Sequence, residues 1–297
     1  MNLIHLLACA GNLSNDTFTQ DAVFLSALPP TELLQLEYPS DLENADAELL
    51  GVALNQLSAA RALTSNLESV TEVVQAVSPS ERGDHHRVWG PGAWDAVPGA
   101  FLRVEMTRTS DAATYLTTFQ TATTSDGPWQ EFFEGDATLD PEVAAGQAGP
   151  VSGTLRWDAS ALDEVAPGHG TESVRFDYQV EPEGPLSLQI IAPLDLSFEQ
   201  LPDDSGSLWL STRLNIAEGE KPKTAIPEDI ELEVAWGSDG DGRGRLRAQG
   251  GDLPWESATI EECWQEGGQR VWVWADPSEL GEEEGEAELC TISAFEG

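Results

Sequence analysis

The chain reads as an α+β protein that is mostly β. An N-terminal helical segment packs on a curved antiparallel β-meander, either an incomplete barrel or a sandwich. Three observations predict this. Apolar residues recur at three- and four-residue steps over 41–77 and at two-residue steps from Val88 onward. The turns between the alternating stretches are rich in Gly, Pro, Asp and Asn. Nothing after Val88 interleaves helical with extended periodicity, as a parallel doubly wound sheet requires.

The helix has a start signal in Ser40-Asp41-Leu42-Glu43, a capping box in which serine and glutamate satisfy each other's free amides. Leu42, Ala45, Leu49, Ala53, Leu57, Ala60, Leu63, Leu67, Val70, Val74 and Val77 then paint one face. Pro79 and Gly83 end it, and Gly51 is a place to bend or split it. About 37 helical residues would span roughly 55 Å.

In the β region, Leu102, Val104 and Met106 alternate with Arg103, Glu105 and Thr107, and 115–121 continues the pattern. Further strands are expected at 154–158, 174–180, 187–191, 208–216, 230–236, 243–248, 259–264 and 270–275. Val174, Phe176, Tyr178 and Val180 point one way while Arg175, Asp177 and Gln179 point the other, the pattern of a sheet with one wet face. The helix stripe is wide and needs a concave partner, which a curved sheet supplies. This order of elements resembles the outer-membrane lipoprotein carrier and localisation families. The resemblance implies an incomplete barrel around the helix and a lipid or other hydrophobic ligand held between them.

Charge excludes other classes of partner. Fifty-three acidic residues stand against 14 basic ones, net −39, and Lys221 and Lys223 are the only lysines. Such a surface repels nucleic acid and anionic headgroups, and it suits a saline habitat, where salt screens the self-repulsion. Forty per cent hydrophobic residues and ten tryptophans exclude disorder of the whole chain. After Cys9 no apolar run approaches the 18 or so residues that a spanning helix needs.

The first residues concern location. Leu6-Leu7-Ala8-Cys9, at the end of an apolar stub and followed by Ala10, Gly11 and Asn12, resembles the lipobox of bacterial lipoproteins. The resemblance implies that residues 1–8 are a signal-peptide remnant and that Cys9 carries a lipid. The protein would then be exported and membrane-anchored in the bacterial envelope, facing the periplasm or the cell surface. Residues 9–39, with Pro29-Pro30 and Pro39, read as a lipidated tether whose patch of Val23, Phe24, Leu25 and Leu28 can dock on the body. Residues 40–297 read as a single helix-plus-sheet domain. Together with the acidic, lysine-poor body and the terminal Glu262-Cys263-Trp264 and Leu289-Cys290, the lipobox resembles uncharacterised lipoproteins of predatory and marine myxobacteria. That resemblance implies a location and no activity.

With Cys9 lipidated, Cys263 and Cys290 remain as an even pair in two strand-like stretches. An oxidising compartment favours a disulfide between them, worth roughly 3–4 kcal/mol by chain entropy. The alternative is two buried free thiols. Asp239-Gly240-Asp241-Gly242 begins like a calcium loop, but Arg243 and Gly250 occupy ligand positions, so a hairpin turn is the better reading. Asp84-His85-His86 and His169 read as solvated turns. No metal and no cofactor is implied, and no nucleophile, zinc or phosphate-loop motif is present. Trp272 and Trp274 share one strand face, where they either fill the core or form a platform for a sugar ligand. Three function classes follow: a non-enzymatic binding or structural lipoprotein, a carrier of a hydrophobic ligand, and a carbohydrate-binding or carbohydrate-active protein.

Overall fold

A computed structural model describes residues 15–36, 46–109, 113–140, 150–168, 173–181, 184–191, 195–214 and 226–295. The lipobox with Cys9, the capping box at 40–43 and His169 lie outside the described residues. Three helices come first: α1 (Asn15–Leu25), α2 (Thr31–Gln35) and α3 (Glu48–Ala76). The sheet begins with β1 (Glu81–Gly83), β2 (His86–Ala93), β3 (Phe101–Arg108), β4 (Thr114–Ala122) and β5 (Gln130–Leu139). After β6 (Val151–Asp158) comes the short α4 (Ala159–Val165), then β7 (Ser173–Val180), β8 (Leu186–Ile191) and β9 (Asp195–Gln200). The series ends with β10 (Gly206–Leu214), β11 (Glu228–Trp236), β12 (Gly242–Gln249), β13 (Ser257–Gln265), β14 (Gln269–Asp276) and β15 (Glu284–Gly285).

Every strand pairs with the next, antiparallel, in chain order, and the sheet does not close into a barrel. Laid flat, 14 inter-strand steps would span about 67 Å. Yet α3, about 43 Å long by its 29 residues, reaches both ends of the series. At its start, Asp46 accepts from the Arg270 amide and Ala47 donates to Gly268, beside β14. Towards its end, Ser69 accepts from the indole of Trp94, which follows β2. The sheet must therefore wrap the helix, as sheets beyond about ten strands tend to do.

One hydrophobic cluster fills the inside, from Trp89 on β2 to Trp264 on β13. Strand register shows how. Trp89, Val104, Phe119, Phe133, Trp157 and Val174 lie opposite one another in turn across β2 to β7. Phe133 is stacked on Trp157 at 5.8 Å and meets Phe119 edge-on at 5.6 Å. Inside the sheet α3 buries Leu49, Ala53, Leu57, Ala60, Leu67, Val70 and Val74 of the expected stripe, and Leu50 beside them. Leu63 is half-buried, Val77 is exposed past the helix end, and Leu42 and Ala45 lie outside the described residues.

Several expectations need correction. Over 15–36 the expected tether carries two helices, and Phe24, Leu28, Leu33, Leu34 and Leu36 are at most 3% exposed. The reason is hydrogen bonding as well as burial. The carbonyls of Leu34 in α2 and of Leu36 just after it accept from Thr64 Oγ1 and Arg61 Nη2 of α3, each at 2.8 Å. Between α1 and α2, the Ala27 carbonyl accepts from the Tyr178 hydroxyl at 3.0 Å. Gly153 makes that contact available, because a Cβ there would lie 2.5 Å from the Tyr178 ring and hydroxyl. Gly51 neither bends nor splits α3, which runs unbroken. Helix α4 and strands β1, β5, β9 and β15 go unseen in the sequence, since they are short, polar or interrupted by glycine.

Charge fastens the helices to the sheet at two inner points. Asp21 of α1 accepts from Arg87 Nε at 2.6 Å and from Arg82 Nε at 3.0 Å. The Arg87 guanidinium also lies 4.7 Å from the centre of the Phe24 ring. At the other end, Glu262 of β13 turns inward and accepts the amides of Glu48 (3.0 Å), Leu49 and Leu50 (3.2 Å). These are amides that the first turn of a helix leaves free. The cap of α3 thus comes from the sheet, not from the capping box.

Candidate functional site

The site is built on β12, whose sequence Gly242-Arg243-Gly244-Arg245-Leu246-Arg247 alternates glycine or leucine with arginine. The even positions face inward. A side chain at Gly242 would run into the Trp264 ring, and one at Gly244 would press on Leu49, at the start of α3. The odd positions therefore carry three arginines outward.

Register extends this into a row. Trp209 of β10 lies opposite Glu233 of β11, Glu233 opposite Arg245, Arg245 opposite Glu261 of β13, and Glu261 opposite Trp274 of β14. Arg245 Nε donates to Glu233 at 2.7 Å, and its Nη1 is 4.0 Å from Glu261. Arg243, two residues along, donates to Glu261 at 2.9 Å. Both arginine side chains are largely shielded, Arg245 at 4% exposure and Arg243 at 12%. Two carboxylates and two guanidiniums thus neutralise one another, with a half-buried tryptophan at each end of the row.

Residues 278–295 cross this face. Cys263, on the outer side of β13, is joined to Cys290 by a disulfide with the Cα atoms 5.7 Å apart. The pairing matches the expectation, but Cys290 follows a 3-10 turn at Ala287–Leu289 instead of lying in a strand. Beneath this strap, β15 pairs with Trp272 and Val273. Trp272 is 7% exposed, donates its indole N–H to Glu283 at 2.9 Å and carries Arg243 5.3 Å from its ring centre. Trp272 is therefore roofed and does not form an open platform with Trp274. Past the disulfide, the Thr291 hydroxyl donates to Asp241. Phe295 lays its ring 5.2 Å from the Arg245 guanidinium, and its carbonyl accepts from Arg245 Nη1 at 3.4 Å. Trp209 was not singled out in the sequence. Its alternation with Leu208 and Leu210 marks it as outward, but only strand register sets it in line with Trp274.

The remaining candidates disperse. Asp239 and Gly240 make the turn between β11 and β12, where Gly240 has φ +77°. His86 sits on β2, its Nε2 3.0 Å from Glu105, and His85 is in the preceding turn near Arg108. Among the described residues no group of three or more His, Cys, Asp or Glu is placed to hold a metal, and no helix is long and apolar enough to cross a membrane. Burial raises the Glu262 carboxyl, against the amides of α3, and raises the Tyr178 hydroxyl; Glu131 is raised by burial and by Glu134. A hydrogen bond with Glu228 raises Asp252 in the loop before β13. Glu262, Tyr178, Glu131 and Asp252 stand on separate elements: β13, β7, β5 and the loop between β12 and β13. An open groove of about 240 Å³ on the outer face of β4 to β6, lined by Leu116, Thr118, Glu134, Asp136, Thr154 and Arg156, contains no aromatic ring. No family model, no curated protein and no solved structure matches the chain.

Proposed function

We propose that this chain is a non-enzymatic binding or structural protein of the bacterial cell envelope, exported and held at a membrane by a lipid on Cys9. The observation that carries the reading is the Cys263–Cys290 disulfide. It accounts for two of three cysteines, belongs to an oxidising compartment, and leaves Cys9 alone in its lipobox-like setting. The net charge of −39 argues against a nucleic-acid partner.

Any ligand is more readily met on the outer face than inside. A hydrophobic cargo between helix and sheet would have to displace α3, whose inward residues are packed against the aromatic wall. The test is metabolic labelling with radiolabelled palmitate in a lipoprotein-exporting bacterium. The full chain should take up label and fractionate with membranes, and Cys9→Ala should do neither. Equal labelling of the two proteins would remove the proposal.

A further inference from the structure

We propose that the outer row Trp209–Glu233–Arg245–Glu261–Trp274 binds a neutral, extended oligosaccharide, and that the flap Thr291–Phe295 covers its centre until the ligand displaces it. The proposal rests on the binding-protein reading above and gives it a ligand class.

The ends of the row are two indoles four strand spacings apart, about 19 Å along the sheet. Indole faces take the C–H faces of sugar rings, and this length suits a few rings in line. Between the indoles stand fixed donors on Arg245 and fixed acceptors on Glu233 and Glu261, the groups that hydroxyls need. With Arg243 beside the row, two guanidiniums balance the two carboxylates, which favours a neutral ligand over an ionic one. An anionic polymer would also meet the field of a chain with net charge −39. Arg243 Nε, beside the row, is buried with no hydrogen-bond partner among the described residues.

The flap already occupies the central position in the manner of a ligand. Phe295 puts a planar apolar face over Arg245 and a carbonyl acceptor on the same guanidinium. Beyond the disulfide it meets the sheet through Thr291 on Asp241 and Phe295 on Arg245, and it can lift from them while Cys263–Cys290 and β15 keep the strap in place. Sequence neighbours do not supply this strip, because Trp272 lies under the strap and its place is taken by Trp209, 65 positions before Trp274.

The experiment is a screen of the purified chain on an array of neutral and acidic oligosaccharides, followed by calorimetric titration of the best neutral hit. Trp209→Ala and Trp274→Ala should each weaken binding about tenfold, as loss of a stacking face does. Trp209→Tyr, which keeps a ring, should lose clearly less, separating stacking from misfolding. Phe295→Ala should tighten binding about threefold by removing the competing cover. The proposal is overturned if neither the wild type nor Phe295→Ala binds a neutral glycan, if only acidic glycans bind, or if both alanine variants bind as tightly as the wild type. Because the measurement needs neither export nor lipid, it can fail while the palmitate experiment succeeds, and the reverse.

Discussion

Asp21 with Arg87, inside the sheet, and Glu134 with Arg156, outside it, are the same chemical pair in opposite surroundings. Inside, the side chains are 10% and 2% exposed and the N···O distance is 2.6 Å; outside they are 55% and 64% exposed at 3.4 Å. The inner pair joins α1 to β2 and holds the helical segment in place. The outer pair joins two strands whose backbones are already bonded to each other. Charge inside decides where helices dock, whereas charge outside decorates a sheet that stands without it. The row around Arg245 is the exception among outer groups, because the strap and flap shield it almost as fully as the core shields Arg87.

The largest expected effect is therefore at Asp21. Asp21→Ala leaves Arg87 and Arg82 without their carboxylate, and a buried charge stripped of its partner costs about 3–5 kcal/mol. Urea unfolding should show a midpoint shift of that size, with loss of protection in α1. A shift below about 1 kcal/mol would erase the distinction between inside and outside pairs.

Glu262 sharpens the same contrast through pH. Glu262→Ala frees three amides of α3 and should cost about 1–3 kcal/mol. Burial outweighs those amides and Arg270, and holds the carboxyl above its ordinary value of 4.5. The folded state then binds the proton more tightly than the unfolded chain does. This contribution to stability is fully present below the unfolded pKa and is lost as pH rises through the folded one. Glu262→Gln cannot titrate. The stability of wild type relative to Glu262→Gln should accordingly fall as pH rises above about 4.5, and a flat difference would mean that the carboxylate is as well solvated as on the surface.

The smallest effect belongs to the outer pair. Glu134→Ala should change stability by less than about 0.5 kcal/mol, the usual range for an exposed ion pair, and 1 M salt should hide even that. A loss comparable to that at Asp21 would show that the outer face bears load across strands.

Much of this architecture is written in local pattern. The alternation of Val174, Phe176 and Tyr178 with Arg175 and Asp177 marks β7 and its inner face, and the three- and four-residue steps from Leu49 to Val74 mark the inward stripe of α3. Composition and spacing also determine the antiparallel meander, since no helical period separates one long strand from the next except at α4. Such features depend on residues close together in the chain, which is why they can be read from it.

Other features are properties of pairs brought together by folding. The cap of α3 comes from Glu262, 214 positions beyond Glu48, so no signal near the helix start announces it. The segment 15–36 looks like a linker because its helices are short. It becomes part of the core only when Arg61, Thr64, Arg87 and Tyr178 take up its carbonyl, carboxylate and aromatic groups. Trp272 and Trp274 look alike in sequence, two steps apart on one face. The strap roofs one and leaves the other half-buried in line with Trp209, because strand register and the course of residues 278–295 determine which side chains share a surface.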